Sequence, residues 1–119
     1  MSIVYIVQDQ QRMSRHTGRL ERKFDFSSAE RFGRLVSLLS PTAKPFQPQS
    51  VIPDLREKLR GFSDEDFLLL VGSPVLIGFA VAVAADVNEG RVRLLQWSGE
   101  RGEYTPISAN LGFSTRRAA

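Results

Sequence analysis

The sequence predicts an α/β fold: a single small domain with a mixed β-sheet of four or five strands, two main helices and a C-terminal β-hairpin. Three features carry the prediction. Phe67 to Val71 is an apolar run of strand length. The step Gly72-Ser73-Pro74 then turns the chain into an uncharged, alanine-rich segment that stops at Asn88-Glu89-Gly90. Further β-branched and aromatic runs lie at Ser2–Val7 and Arg91–Trp97, so the first strand has partners.

Ser2 to Val7 is the first predicted strand. Gln8 to Lys23 is polar and basic without a core-forming face, which predicts a loop, a long hairpin excursion or an arm. Phe24-Asp25-Phe26 alternates, and either re-enters the sheet edge or staples the arm to the core. Ser27 to Leu39 reads as a short helix from Ser28 to Phe32 and a strand from Arg34 to Leu39. Phe32, Leu35, Val36 and Leu39 also fit a single helix, which is the competing reading. Pro41, Pro45 and Pro48 mark an extended loop. Ser50 is then expected to cap a helix over Val51–Arg60, with Val51, Ile52, Leu55 and Leu59 on its apolar face, Pro53 in its first turn and Gly61 ending it.

Ser63 to Asp66 predicts a turn before the strand Phe67–Val71. Ser73 is placed as the cap of a helix running from Pro74 to Val87, because proline at the first helical position loses nothing by lacking an N–H. Gly90 suits a left-handed stop. A helix apolar all round is expected to be buried on more than one side. Arg91–Trp97 and Tyr104–Leu111 predict a hairpin, with Pro106 confining the last strand to a sheet edge. Residues 1–113 are expected to form one domain with the basic arm at 8–23, followed by a flexible tail at 114–119.

At 119 residues the chain is long enough for one ordinary domain. It has no cysteine, which excludes a disulfide framework and a cysteine zinc site. That composition fits a reducing compartment, and no secretory leader is visible at the N-terminus. The uncharged stretch from Phe67 to Ala85 approaches a bilayer-spanning length. Gly72 and Pro74 inside it, and basic residues on both flanks, argue for a folded core and against a membrane location.

The C-terminal half also carries a recognisable pattern. Asp64, Glu65 and Asp66 form an acidic turn before an apolar strand. Gly72 and Pro74 open an alanine-rich helix, Asn88 and Gly90 close it, and Leu95, Trp97, Tyr104 and Pro106 mark the two strands that follow. In this pattern the chain resembles a family of small proteins encoded by tailed bacteriophages and prophages. Two positions depart from it: Ser73 stands where the family has an acidic cap, and Gln96 where it has a basic residue. The likeness is strongest over Phe62–Leu111, and the arm at 8–23 reads as an addition. The shared motif is structural, so the resemblance implies a phage setting and a bacterial host cytoplasm without implying an activity.

The candidate sites follow from the residues. Arg12, Arg15, Arg19, Arg22 and Lys23 stand against only Asp9 and Glu21, and that excess equals the net charge of +3 of the whole chain. Four of these arginines share one face if the arm is helical. With His16 they form the candidate macromolecule-binding set, for a host or phage protein or, through phosphates, for nucleic acid. A solvated loop is the plain alternative. His16 is the only histidine and sits among arginines, which offers no catalytic constellation. Gly72 and Ser73 lie between a strand end and a helix start, where an anion or nucleotide can bind; a packing turn competes with that reading. Asp64, Glu65 and Asp66 raise the question of Mg²⁺ and a nuclease, although consecutive carboxylates more readily cap a turn. Phe46, Trp97 and Tyr104 are candidate surface aromatics, with Trp97 and Tyr104 also explained as a cross-strand pair. The sequence thus predicts a non-enzymatic phage accessory protein that binds and modulates a host or viral macromolecule. No cofactor or metal is expected, and self-association at an open sheet edge is allowed. A small-ligand binder and a Mg²⁺-dependent nuclease are the alternatives.

Overall fold

The structure is a computed structural model that describes residues 1–112. The expected tail at 114–119 lies outside the described residues. Five strands form the main sheet: β1 (Ile3–Gln8), β4 (Arg34–Leu39), β5 (Phe67–Leu69), β6 (Arg91–Ser98) and β7 (Glu103–Asn110). Two further strands, β2 (Gln11–Met13) and β3 (Leu20–Arg22), form a separate hairpin. The helices are α1 (Pro48–Lys58) and α2 (Pro74–Val87), with a short 3-10 helix at Ser27–Phe32.

The strand order is β4-β1-β5-β6-β7, parallel except for the antiparallel β6–β7 pair. β1 is apolar from Ile3 to Val7, and both of its faces are covered. Tyr5 and Val7 join Leu68, Leu55, Leu76 and Val83 beneath the two helices. Val4 and Ile6, alternating with them, join Phe67, Leu69, Leu95 and Tyr104 on the other face. There the 3-10 helix is the cover, through Ala29 and Phe32, with the adjoining Phe26 fully buried. The result is three layers, one of them thin.

The segment 27–39 resolves as the short helix plus strand, not as one helix. Leu35 to Ser37 pair with Val4 to Ile6, a register that a helix cannot supply. α1 begins earlier than Ser50 predicts, since Pro48 takes a first-turn position. Pro53 consequently lies inside the helix; the carbonyl it leaves without a donor belongs to exposed Gln49, where water can replace the bond. The helix ends at Lys58, and Leu59, not Gly61, is its capping residue. β5 stops at Leu69, where the backbone turns and Val71 N donates to the Leu69 carbonyl at 3.1 Å, while the Val71 carbonyl still accepts from Gln8 N at 3.1 Å.

α2 has the expected bounds, but Ser73 caps it without a side-chain hydrogen bond. Gly90 takes a φ of 86° and its N–H closes on the Ala85 carbonyl, completing the left-handed stop. The expectation of burial on more than one side holds toward the sheet and α1, but the outer face of the helix stays open. Leu76, Ala80, Val83 and Ala84 are buried against the sheet and α1, whereas Val75, Gly78 and Ala82 face outward and are exposed. Among the described residues α2 packs chiefly against the sheet and α1, which leaves its outer stripe uncovered. Among the described residues, no helix is long and apolar enough to cross a membrane.

Candidate functional site

The order in which strands are added to the sheet reverses between the parallel strands β1 and β5. The connection after β1 leads to one side of the sheet, to β4, and the next crosses back over β1 to β5. In open α/β sheets such a switch point, at the carboxyl ends of the strands, is where ligands bind. Gln8 ends β1 there, and Gly72-Ser73 follows β5. The predicted anion turn has its N–H engaged from within: Ser73 N donates to Gln8 Oε1 at 3.0 Å. The Gln8 amide nitrogen lies 3.2 to 3.4 Å from the carbonyls of Ser40, Pro41 and Ala43. A Cβ on Gly72 would come within 2.5 Å of the Gln8 Cβ, and its φ of 113° further favours glycine. A buried glutamine therefore plugs the crevice. Gln8 is not legible as a site residue from sequence, because it ends an apolar strand and begins a polar arm and so has the look of a boundary.

The arm leaves the same edge of the sheet and forms a hairpin. Gln11, Arg12 and Met13 pair with Arg22, Glu21 and Leu20. Ser14 N donates to the Arg19 carbonyl at 2.8 Å, and the Ser14 hydroxyl accepts from His16 N and Thr17 N. These bonds order the turn, and Ser14 is the one buried residue in the segment from Gln11 to Asp25. Lys23 N closes the neck on the Gln10 carbonyl at 2.8 Å. Asp9 Oδ2 meets Arg22 Nε at 2.8 Å, and the Arg22 guanidinium lies 5.4 Å from the Phe26 ring centroid.

A single helical face of arginines does not exist. Directly paired residues share a face, so Arg12 and Glu21 lie on one side of the ribbon, while Met13, Leu20 and Arg22 lie on the other. Arg22 braces the root and Arg12 stands opposite an acid. Arg15, His16 and Arg19 occupy the exposed tip. Met13 and Leu20 are about as exposed, at 60% and 61%, although both are apolar.

The acidic turn disperses. Asp66 is buried and accepts from Ile3 N and Ser63 N, both at 2.9 Å. Asp64 accepts from Asn88 Nδ2 and Arg91 Nε, each at 2.9 Å, and these bonds hold its carboxyl below the usual carboxylate range. Glu65 meets the N-terminal amine at 3.2 Å. The three carboxylates thus tie the N-terminus, the turn and the start of β6 together. Among the described residues, no cluster of three or more His, Cys, Asp or Glu side chains is placed to hold a metal ion.

The aromatic candidates separate. Trp97 and Tyr104 are a cross-strand pair with centroids 5.1 Å apart and planes at 68°. Tyr104 is buried; Trp97 is half exposed. Burial, then the charge of Asp25, raises the Tyr104 pKa. Both rings line a groove of about 540 Å³ between the root of the arm and the ends of β5 and β6. Lys23, Phe24 and Asp25 line it as well, a contribution that the alternation of Phe24-Asp25-Phe26 signals only in part. Phe46 stands apart and exposed in the loop after β4.

Residues 2–111 match the family described as Phage Pam3 gp32-like protein. The chain belongs to that family. No curated protein and no solved structure matches it.

Proposed function

We propose that this phage protein is a non-enzymatic accessory protein that contacts a host or viral macromolecule through its hairpin arm and modulates it in the bacterial cytoplasm. One observation carries the reading. The arm is ordered by its own hydrogen bonds, yet it presents Met13, Leu20, Arg15 and Arg19 outward and adds little to the core. Exposed apolar side chains rimmed by arginine are the composition of a contact surface. His16 stands on the exposed tip, and the carboxylates of the acidic turn are engaged in structural bonds, which favours binding over catalysis.

The test is recovery of partners from bacterial lysate, using intact protein and a variant with Arg12, Arg15 and Arg19 changed to Ala. Arg22 is left in place because it braces the hairpin through Asp9. The reading expects the variant to lose a partner that the intact protein retains. Equal recovery from both removes the arm as the contact.

A further inference from the structure

The groove at the root of the arm combines three features. It is lined by aromatic rings, it lies at the carboxyl edge of parallel strands, and it opens beside the basic hairpin. Its volume is within the range of ordinary ligand sites. Trp97 is 50% exposed and Phe24 41%, so both groove-lining rings have accessible surface. The Trp97 ring packs edge-on with the Tyr104 ring. Asp25, held ionised by the Ser27 N–H, offers an acceptor to a ring N–H or amine. Lys23 Nζ lies 5.3 Å from the Phe24 ring centroid, between the groove and the arm.

Beyond the groove, Lys23 and Arg19 flank one strand of the arm, with Glu21, paired to Arg12, between them. With Arg22 engaged by Asp9 and Arg12 facing Glu21, the surplus cations of the arm are Lys23, Arg19 and Arg15. From Lys23 to Arg19 is four residues of extended chain, about 13 Å. A chain of phosphates leaving the groove can follow that line. Stacking platforms combined with a basic track are the chemistry of single-strand nucleic-acid binding.

We infer that the groove takes an unpaired base of single-stranded nucleic acid between Trp97 and Phe24, with the adjoining phosphates on Lys23, Arg19 and Arg15. This deepens the reading of the arm as the contact surface and rests on it for the phosphate contacts. Duplex nucleic acid does not fit, because its bases are already stacked.

Trp97 is the only tryptophan in the chain, so its fluorescence reports the groove alone. The full chain is titrated with single-stranded DNA of about a dozen nucleotides, within known site sizes, with the same sequence as duplex, and with a mononucleotide. The single strand is expected to quench Trp97 in a saturable way that weakens steeply with salt, and to bind at least tenfold more tightly than the duplex or the mononucleotide. Phe24→Ala, at a side chain outside the core, is expected to weaken binding about tenfold; Lys23→Gln with Arg19→Gln should flatten the salt dependence. The inference is overturned if the single strand leaves Trp97 unquenched, if the mononucleotide binds equally well, or if Phe24→Ala binds as the parent does. If the oligonucleotide fails while nuclease-treated lysate still yields an arm-dependent partner, this inference falls and the broader reading of the arm stands.

Discussion

Replacing Gln8 by alanine tests the plugged switch point. The side chain is 5% exposed and bridges the two halves of the sheet's carboxyl edge. Its oxygen receives the Ser73 N–H at 3.0 Å, and its amide faces three carbonyls of the loop after β4 at 3.2 to 3.4 Å. An amide has two hydrogens, so about three hydrogen bonds form at once. At a net value of about 1 kcal/mol each, Gln8→Ala removes about 3 kcal/mol. Water entering the space restores part of this at the loop carbonyls, which sets an expected loss of about 2 to 3 kcal/mol. A neutral surface substitution changes stability by less than about 0.5 kcal/mol. Urea unfolding measures the loss directly, with an unchanged slope showing that the unfolded state is not altered. Gln8→Glu is the sharper control. It places an acceptor against three acceptors, so it should destabilise at least as much as alanine at neutral pH. A loss below about 1 kcal/mol for Gln8→Ala would refute the plug as a structural element.

Two further predictions concern the acidic turn. Asp66→Ala leaves the Ile3 and Ser63 N–H groups without their acceptor and should cost about 3 kcal/mol, lowering the melting temperature by about 10 °C in a thermal scan. Asp64 titrates below its unfolded value, chiefly because Arg91 and Asn88 donate to its charged form. The folded state therefore binds this proton less readily than the unfolded state. Its stabilisation is fully present above the unfolded value, about pH 3.9, and is lost as pH falls through the folded value. Unfolding measured against pH should show Asp64→Asn weaker than the parent at neutral pH, with the gap closing below about pH 4.

Much of the fold was legible because its signals are local. Phe67–Leu69 reads as a strand from its unbroken apolar run, and α2 from the proline that opens it and the glycine that ends it. The split of 27–39 into helix and strand was underdetermined. Gly33 and the apolar spacing serve both readings, and only pairing with β1 decides. The exposed stripe of α2 was illegible for a similar reason: composition counts apolar residues but not the neighbours available to cover them. At the site, the arm's charge was plain, whereas a hairpin was only one of three readings open for it, since Gln8–Lys23 carries little strand propensity. The ribbon is held by the Ser14 turn, the neck bond from Lys23 to Gln10 and the Asp9–Arg22 pair. That geometry separates arginines that a helix would align. Gln8 and Phe24 gain their roles only from residues distant in sequence.

The most direct test of the arm as the contact surface is its excision. Gln10 and Lys23 already meet at the neck, so residues 11–22 can be replaced by an Asn-Gly turn without stretching the chain. Partner recovery from bacterial lysate is then compared between the shortened and intact proteins, each shown to be folded by a cooperative melt. The expected result is a folded protein that no longer retains the partner. A folded, shortened protein that retains it in full would contradict the account.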